Sequence, residues 1–112
     1  MAKVIITAPL KEEIFKRFKA ASEKIFLQMK SLEHDLHKGK ALGHVAGTVI
    51  KELKYEKYRF YFITDGHVLK FGTDDELAAL LIKFVRMSDK KNQQKIIDEI
   101  KMILKSMGFE AL

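Results

Sequence analysis

A chain of 112 residues with 47% apolar and 32% charged side chains is long enough to bury one core without covalent staples and too apolar to be disordered. The absence of cysteine excludes a disulfide framework and a thiolate metal site, and no apolar run approaches the ~20 residues of a membrane span. A formal charge of +6 favours a polyanionic or acidic partner, and the lack of a signal-peptide-like apolar core leads us to expect one domain, residues 1–112, with no membrane association and a cytoplasmic location.

Lys3 to Thr7 (KVIIT) is a short β-type run expected to join a sheet. Ala8-Pro9 ends it, because proline fixes its own φ and biases the preceding residue toward extended geometry. From Leu10 to about His37, Phe15, Phe18, Ile25, Met29, Leu32 and Leu36 trace one helical stripe, with lysines and glutamates opposite. The spacing predicts one long helix, or two meeting near residues 20–22, with Gly39 as the left-handed residue past the end. KALGHVAG, residues 40–47, reads as a glycine-bearing loop.

Residues 48–71 (TVIKELKYEKYRFYFITDGHVLKF) are dense in Val, Ile, Tyr and Phe, which suit a pleated, half-buried surface. The pairs Glu56-Lys57 and Asp65-Gly66 divide the stretch into three antiparallel strands, 48–55, 58–64 and 67–71. Two-residue turns place Tyr55 opposite Tyr58, Leu53 opposite Phe60 and Lys54 opposite Arg59, then Phe62 opposite Leu69 and Phe60 opposite Phe71. Alternation then assigns Val49, Leu53, Tyr55, Tyr58, Phe60, Phe62, Leu69 and Phe71 to a core face, with Lys51 the exception. The other face carries Ile50, Glu52, Lys54, Arg59, Tyr61, Ile63, Val68 and Lys70. It is expected to be an exposed, basic, tyrosine-bearing surface on which Arg59 can be replaced without loss of the fold.

Thr73-Asp74-Asp75-Glu76 is a capping-box sequence, and Leu77, Leu80, Leu81, Phe84 and Val85 fall at helical spacing. Local rules therefore favour a helix over 74–86, against a buried strand over ALLIKFV. Ser88 or Asp89 caps a last amphipathic helix, 90–107, with Ile96, Ile97, Ile100, Ile103, Leu104 and Met107 on one face and Gly108 as its stop.

His34 and His37, with Glu33, Asp35 and His44 nearby, match no established zinc spacing, so no metal site is expected. His67 falls at a strand end on the core face. No glycine-rich phosphate loop or serine elbow occurs, and no cofactor is implied. The chemistry-bearing cluster is Glu52, Lys54, Arg59, Tyr61 and Lys70, with Arg86, Lys90 and Lys91 beyond. Its cations suit phosphates and its tyrosine offers a stacking plane for RNA. RNA cleavage needs little more, because the ribose 2′-OH is the nucleophile. Glu52 is the candidate base, and a cation meets the developing phosphorane charge. The bland alternative is a solvated or partner-covered sheet face.

The element order, the run Leu53-Lys54-Tyr55 followed by Tyr58-Arg59, and Phe84-Val85-Arg86 together resemble the RelE/ParE toxin superfamily of toxin–antitoxin systems. The resemblance covers about residues 3–105. Met87 stands where a second basic residue is usual, Ile50 and Glu52 where lysines are, and GTDDELA looks like an insertion. The resemblance implies an α+β fold with N-terminal helices packed on one face of a small antiparallel sheet and a C-terminal helix, and it favours a strand over 80–86. It also implies ribosome-dependent, metal-free mRNA cleavage, or gyrase inhibition in the ParE branch. Arg59 would stabilise phosphate charge, and Arg86 with Lys54 would position the RNA backbone. A non-nuclease member binding only a partner is the alternative. The implied partners are mRNA on the ribosome and a cognate antitoxin whose acidic or amphipathic segment covers the basic sheet face and the N-terminal apolar stripe.

Overall fold

The computed structural model describes residues 2–112. Five strands, β1 (Lys3–Ile6), β2 (Lys40–Val45), β3 (Thr48–Tyr55), β4 (Tyr58–Asp65) and β5 (Leu81–Asp89), form one sheet in the order β1-β5-β4-β3-β2. The α+β class stands, but the sheet is mixed rather than antiparallel. The chain leaves β1 into helices and regains its side only at β5, which runs parallel to it. The remaining neighbours are antiparallel.

Helices α1 (Ala8–Phe18) and α2 (Ser22–Lys30) are separated by a 3-10 turn at Lys19–Ala21, the two-helix form of the predicted stripe. They cover one sheet face. Leu10, Ile14, Ile25, Met29 and Leu32 meet Leu53, Phe60, Phe62, Ile82, Phe84 and Met87 there, all buried. Each fully buried large apolar side chain in such a core contributes roughly 1.5–3 kcal/mol. The helical run ends in a 3-10 turn at Ser31–Glu33, short of residue 37. Gly39 serves β2 instead, at φ +98°, where an added Cβ would sit 2.8 Å from Phe62 Cζ. Residues 40–45 are thus a strand, not a loop, and the turn into β3 places Ala46 and Gly47 at φ 50° and 85°.

The β3–β4 register is the predicted one: Tyr55 opposite Tyr58, Lys54 opposite Arg59, Leu53 opposite Phe60. Beyond Asp65 the expectation fails. Residues 66–71 form a short helix, α3 (Gly66–Phe71), because Asp65 Oδ1 accepts the Val68 N–H at 3.0 Å as an N-cap. The place beside β4 belongs to β5, which pairs Phe84 with Phe62 and Met87 with Phe60. Thr73 and Glu76 make both capping-box bonds, but the helix they start, α4 (Asp74–Ala78), gives way to β5. The strand expected over 80–86 is therefore present and runs on to Asp89. A bulge between the Tyr61 and Phe62 pairings brings both Phe84 and Met87 to the α1/α2 side and turns Val85 to the other.

The last helix, α5 (Gln93–Ser106), ends at Gly108 with φ +89°. It changes the meaning of the second sheet face. Ile100 and Leu104 pack on Ile50, Tyr61, Ile63 and Val85 in a second core, all of them buried. The surface expected to face solvent is therefore largely covered.

Candidate functional site

Arg59 stands on β4 with Glu52 beside it on β3, and their side chains are only 13% and 10% exposed. Arg59 Nε lies 3.3 Å from Glu52 Oε2. The contact is ionic rather than a hydrogen bond, and Oε2 has no donor of its own. The Arg59 guanidinium also donates to the Tyr58 carbonyl at 3.3 Å.

Tyr61, expected as an exposed stacking plane, is wholly buried, and its hydroxyl shares a 2.7 Å hydrogen bond with Ser88 Oγ on β5. Burial is the main force raising the Tyr61 pKa, with Glu52 and Asp89 adding to it. The Ser88 bond and Arg59 pull the other way. The register explains the grouping, since Arg59 pairs with Ser88 and Tyr61 with Arg86.

Arg86 is half-buried. Its Nε donates to Glu99 Oε1 on α5 at 3.0 Å, and a terminal N–H donates to the Val85 carbonyl at 2.8 Å. Lys54, Lys90 and Lys91 are exposed, the last two in the turn between β5 and α5. Lys70 belongs elsewhere: it lies on α3, which packs at the Val49 end of β3, with its ammonium 5.3 Å over the Phe71 ring. His67 is likewise on α3 and exposed, not on a core face. Among the described residues no three of His, Asp and Glu lie where they could hold a metal ion, and no helix is long and apolar enough to cross a membrane.

Residues assigned to other roles open the site to solvent. A cleft of about 380 Å3 is lined by Arg17 of α1, Tyr58, Ser88 and Asp89 at the strand ends, and Lys95 and Glu99 of α5. Arg17 stacks its guanidinium 5.5 Å over the Tyr58 ring, so a cation and an aromatic face share one wall, with Lys95 of α5 across from them. Asp89 is held ionised by donation from the Asn92 N–H and side-chain amide, which lowers its pKa. Neither Arg59 nor Glu52 lines the cleft; the link to that pair runs through the Tyr58 carbonyl, which accepts from Arg59, and through Ser88, which holds Tyr61. One sequence signal pointed here. Asn92, Lys95 and Glu99 share a helix face by their i, i+3, i+7 spacing immediately after the FVR strand.

The antitoxin surface expected on the sheet face is occupied by α5. The N-terminal apolar stripe does leave Phe15 half-exposed, at 50%, and Leu27, outside the stripe, is 67% exposed. Comparison with protein-family models, characterised proteins and solved structures finds no match to this chain.

Proposed function

We propose that this chain is an RNA-directed protein of the RelE/ParE toxin type, engaging ribosome-bound mRNA where the β3–β4 hairpin, the end of β5 and the start of α5 meet. The observation that carries the reading is the cleft of Arg17, Tyr58, Ser88 and Lys95 opening beside the Glu52–Arg59 pair. Exposed Lys54, Lys90 and Lys91 flank it. Arg17 and Lys95 are the cleft's cations, set among the carboxylates of Glu13, Asp89 and Glu99, and they hold the phosphate while Tyr58 offers a ring for a splayed base. The order of elements and the Tyr58-Arg59 and Phe84-Val85-Arg86 runs supply the family component.

The chemistry is metal-free transesterification. An RNA phosphate takes the Arg59 guanidinium from Glu52, and the freed carboxylate accepts the proton of the 2′-OH. The 2′ oxygen forms its bond to phosphorus as the bond to the 5′ oxygen breaks, with Arg59 against the developing charge, and the leaving 5′ oxygen takes its proton from water, giving a 2′,3′-cyclic phosphate and a free 5′-OH. Arg86 and Lys54 align the chain. A second reading has its own support: Arg59 and Arg86 each already hold a carboxylate and Tyr61 is closed to solvent. On that reading the protein grips its target without cutting.

Induced expression with mapping of mRNA 5′ ends separates the two. Growth arrest with new 5′ ends, lost in Glu52→Gln but with RNA binding retained, supports cleavage. Arrest with intact messages supports the binding reading. RNA binding unchanged in Arg17→Glu combined with Lys95→Glu would overturn the cleft assignment itself.

A further inference from the structure

The two edges of the sheet are finished differently. On β1, the outward backbone of Val4 is already bonded. Its N–H donates to Glu33 Oε2 at 2.8 Å, and its carbonyl accepts from Lys30 Nζ at 2.8 Å. Those two side chains lie 3.8 Å apart as an ion pair, so a strand approaching β1 meets both ladder positions filled. Strand β2 has no such guard. It pairs only with β3, and among the described residues no side chain bonds to the backbone of residues 40–45.

The surroundings of that free edge are chemically distinct on its two sides. On the side that α3 covers, a groove of about 420 Å3 runs between β2 and α3, lined by His44, Val49, Leu69 and Lys70 and by no carboxylate. On the opposite side, Lys40 shares the face of its partner Glu52, and Lys101 of α5 reaches over β2. Lys101 Nζ would lie 3.6 Å from a Cβ at Gly43.

We propose that β2 receives an extended acidic segment of a partner protein as a sixth strand, with apolar and acidic residues alternating along it. Main-chain bonds to the free edge give the affinity. Alternate side chains then fall into the apolar groove on one face and against Lys40 and Lys101 on the other. A second copy of this chain is the wrong occupant, because β2 carries no acidic residue, so self-pairing would bring no carboxylate to Lys40 or Lys101. This inference does not rest on the RNA reading, since the edge and the cleft share no residue.

The test uses the full chain and a labelled peptide in which valine and glutamate alternate, followed by fluorescence anisotropy and amide exchange. Saturable binding that weakens with salt, with protection appearing at residues 40–45, is the expected result. The same peptide N-methylated at alternate positions keeps its side chains and charge but loses its ladder donors, and should bind roughly tenfold weaker or worse. Lys40→Glu with Lys101→Glu should weaken binding by a similar factor, roughly tenfold. Lys95→Glu, in the cleft, should leave it unchanged. Equal binding of the N-methylated peptide, protection mapped to another segment, no saturable binding, or chain dimers joined through β2 would each overturn the proposal.

Discussion

Replacing Arg59 by methionine tests the most consequential pair in the site. The substitution keeps an unbranched side chain of similar reach but removes the one cation that, among the described residues, lies within 4 Å of Glu52, whose side chain is 10% exposed. Glu52 Oε2 already lacks a hydrogen-bond donor, so no neighbour stands ready to compensate the stranded carboxylate. Breaking a buried ion pair from one side costs about 3–5 kcal/mol. The residual exposure of both groups places this case at the lower end, about 3 kcal/mol. At a urea dependence of about 1.5 kcal/mol per molar, the unfolding midpoint should fall by about 2 M. The melting temperature should drop by roughly 12 °C for a chain of this size. The decisive measurement is the double variant Arg59→Met with Glu52→Leu, which removes both charges and should recover most of the loss. If the single variant costs under about 1 kcal/mol, or if the double variant loses the sum of its parts, the pair is not the buried, mutually dependent unit described here. Arg59→Glu should be worse than methionine, because it would set a second carboxylate against the first.

Three further outcomes follow from individual contacts. Tyr61→Phe should cost about 1–2 kcal/mol by leaving the Ser88 hydroxyl unpaired in a closed site. The folded state holds the Tyr61 proton more tightly than the unfolded chain, so wild-type stability should decline as pH rises past 10.0, and urea midpoints across alkaline pH should show the phenylalanine variant without that decline. Lys51, buried on the α1/α2 face and bonded to the His37 carbonyl, has its pKa lowered by burial against the opposing pull of Asp35. The unfolded chain therefore binds that proton more tightly, and stability should climb as pH rises through the lowered Lys51 pKa toward 10.5. Lys51→Met should be more stable than wild type at neutral pH and should lack that climb. Gly39→Ala should cost about 2 kcal/mol, combining a left-handed backbone with displacement of the Phe62 ring, and equilibrium unfolding would expose any smaller value.

The parts of the fold legible in the sequence are those set by local chemistry or by strict alternation. The Glu56-Lys57 turn fixes the β3–β4 register, and the Thr73–Glu76 box forms as written. The stops at Gly108 and between α1 and α2 fall where glycine and the change of stripe put them. What failed depended on competition. Asp65-Gly66 serves a hairpin or a helix cap equally well, and the choice was made by which segment, 67–71 or 81–89, offers β4 the longer apolar partner. The glycines in and around KALGHV suggest a loop, yet Gly39 supplies a close approach to Phe62 and Gly47 a hairpin turn. Of the cluster read from the sequence, Glu52, Arg59 and Tyr61 stand side by side but closed off rather than exposed, and Lys70 lies apart on α3. The exposed setting on which replacement of Arg59 was expected to spare the fold is absent.

The missing constraint was one of surfaces. Helices α1 and α2 bring one apolar stripe and α5 brings another, and a single sheet face cannot bury both. The second stripe, Ile96, Ile97, Ile100 and Leu104, had to find apolar area somewhere. Ile50, Tyr61 and Ile63 were that area, already visible as three large side chains on a face otherwise read as polar. Once α5 lies there, the charges among them must either reach the rim or pair. Lys54, at the hairpin end, reaches solvent. Glu52 and Arg59 cannot, and they pair with each other, while Arg86, half-exposed, pairs with Glu99 of α5. The accessible chemistry therefore shifts from the sheet face to its end. There Arg17 and Tyr58 from one side and Lys95 and Glu99 from the other leave a cleft that neither core can close.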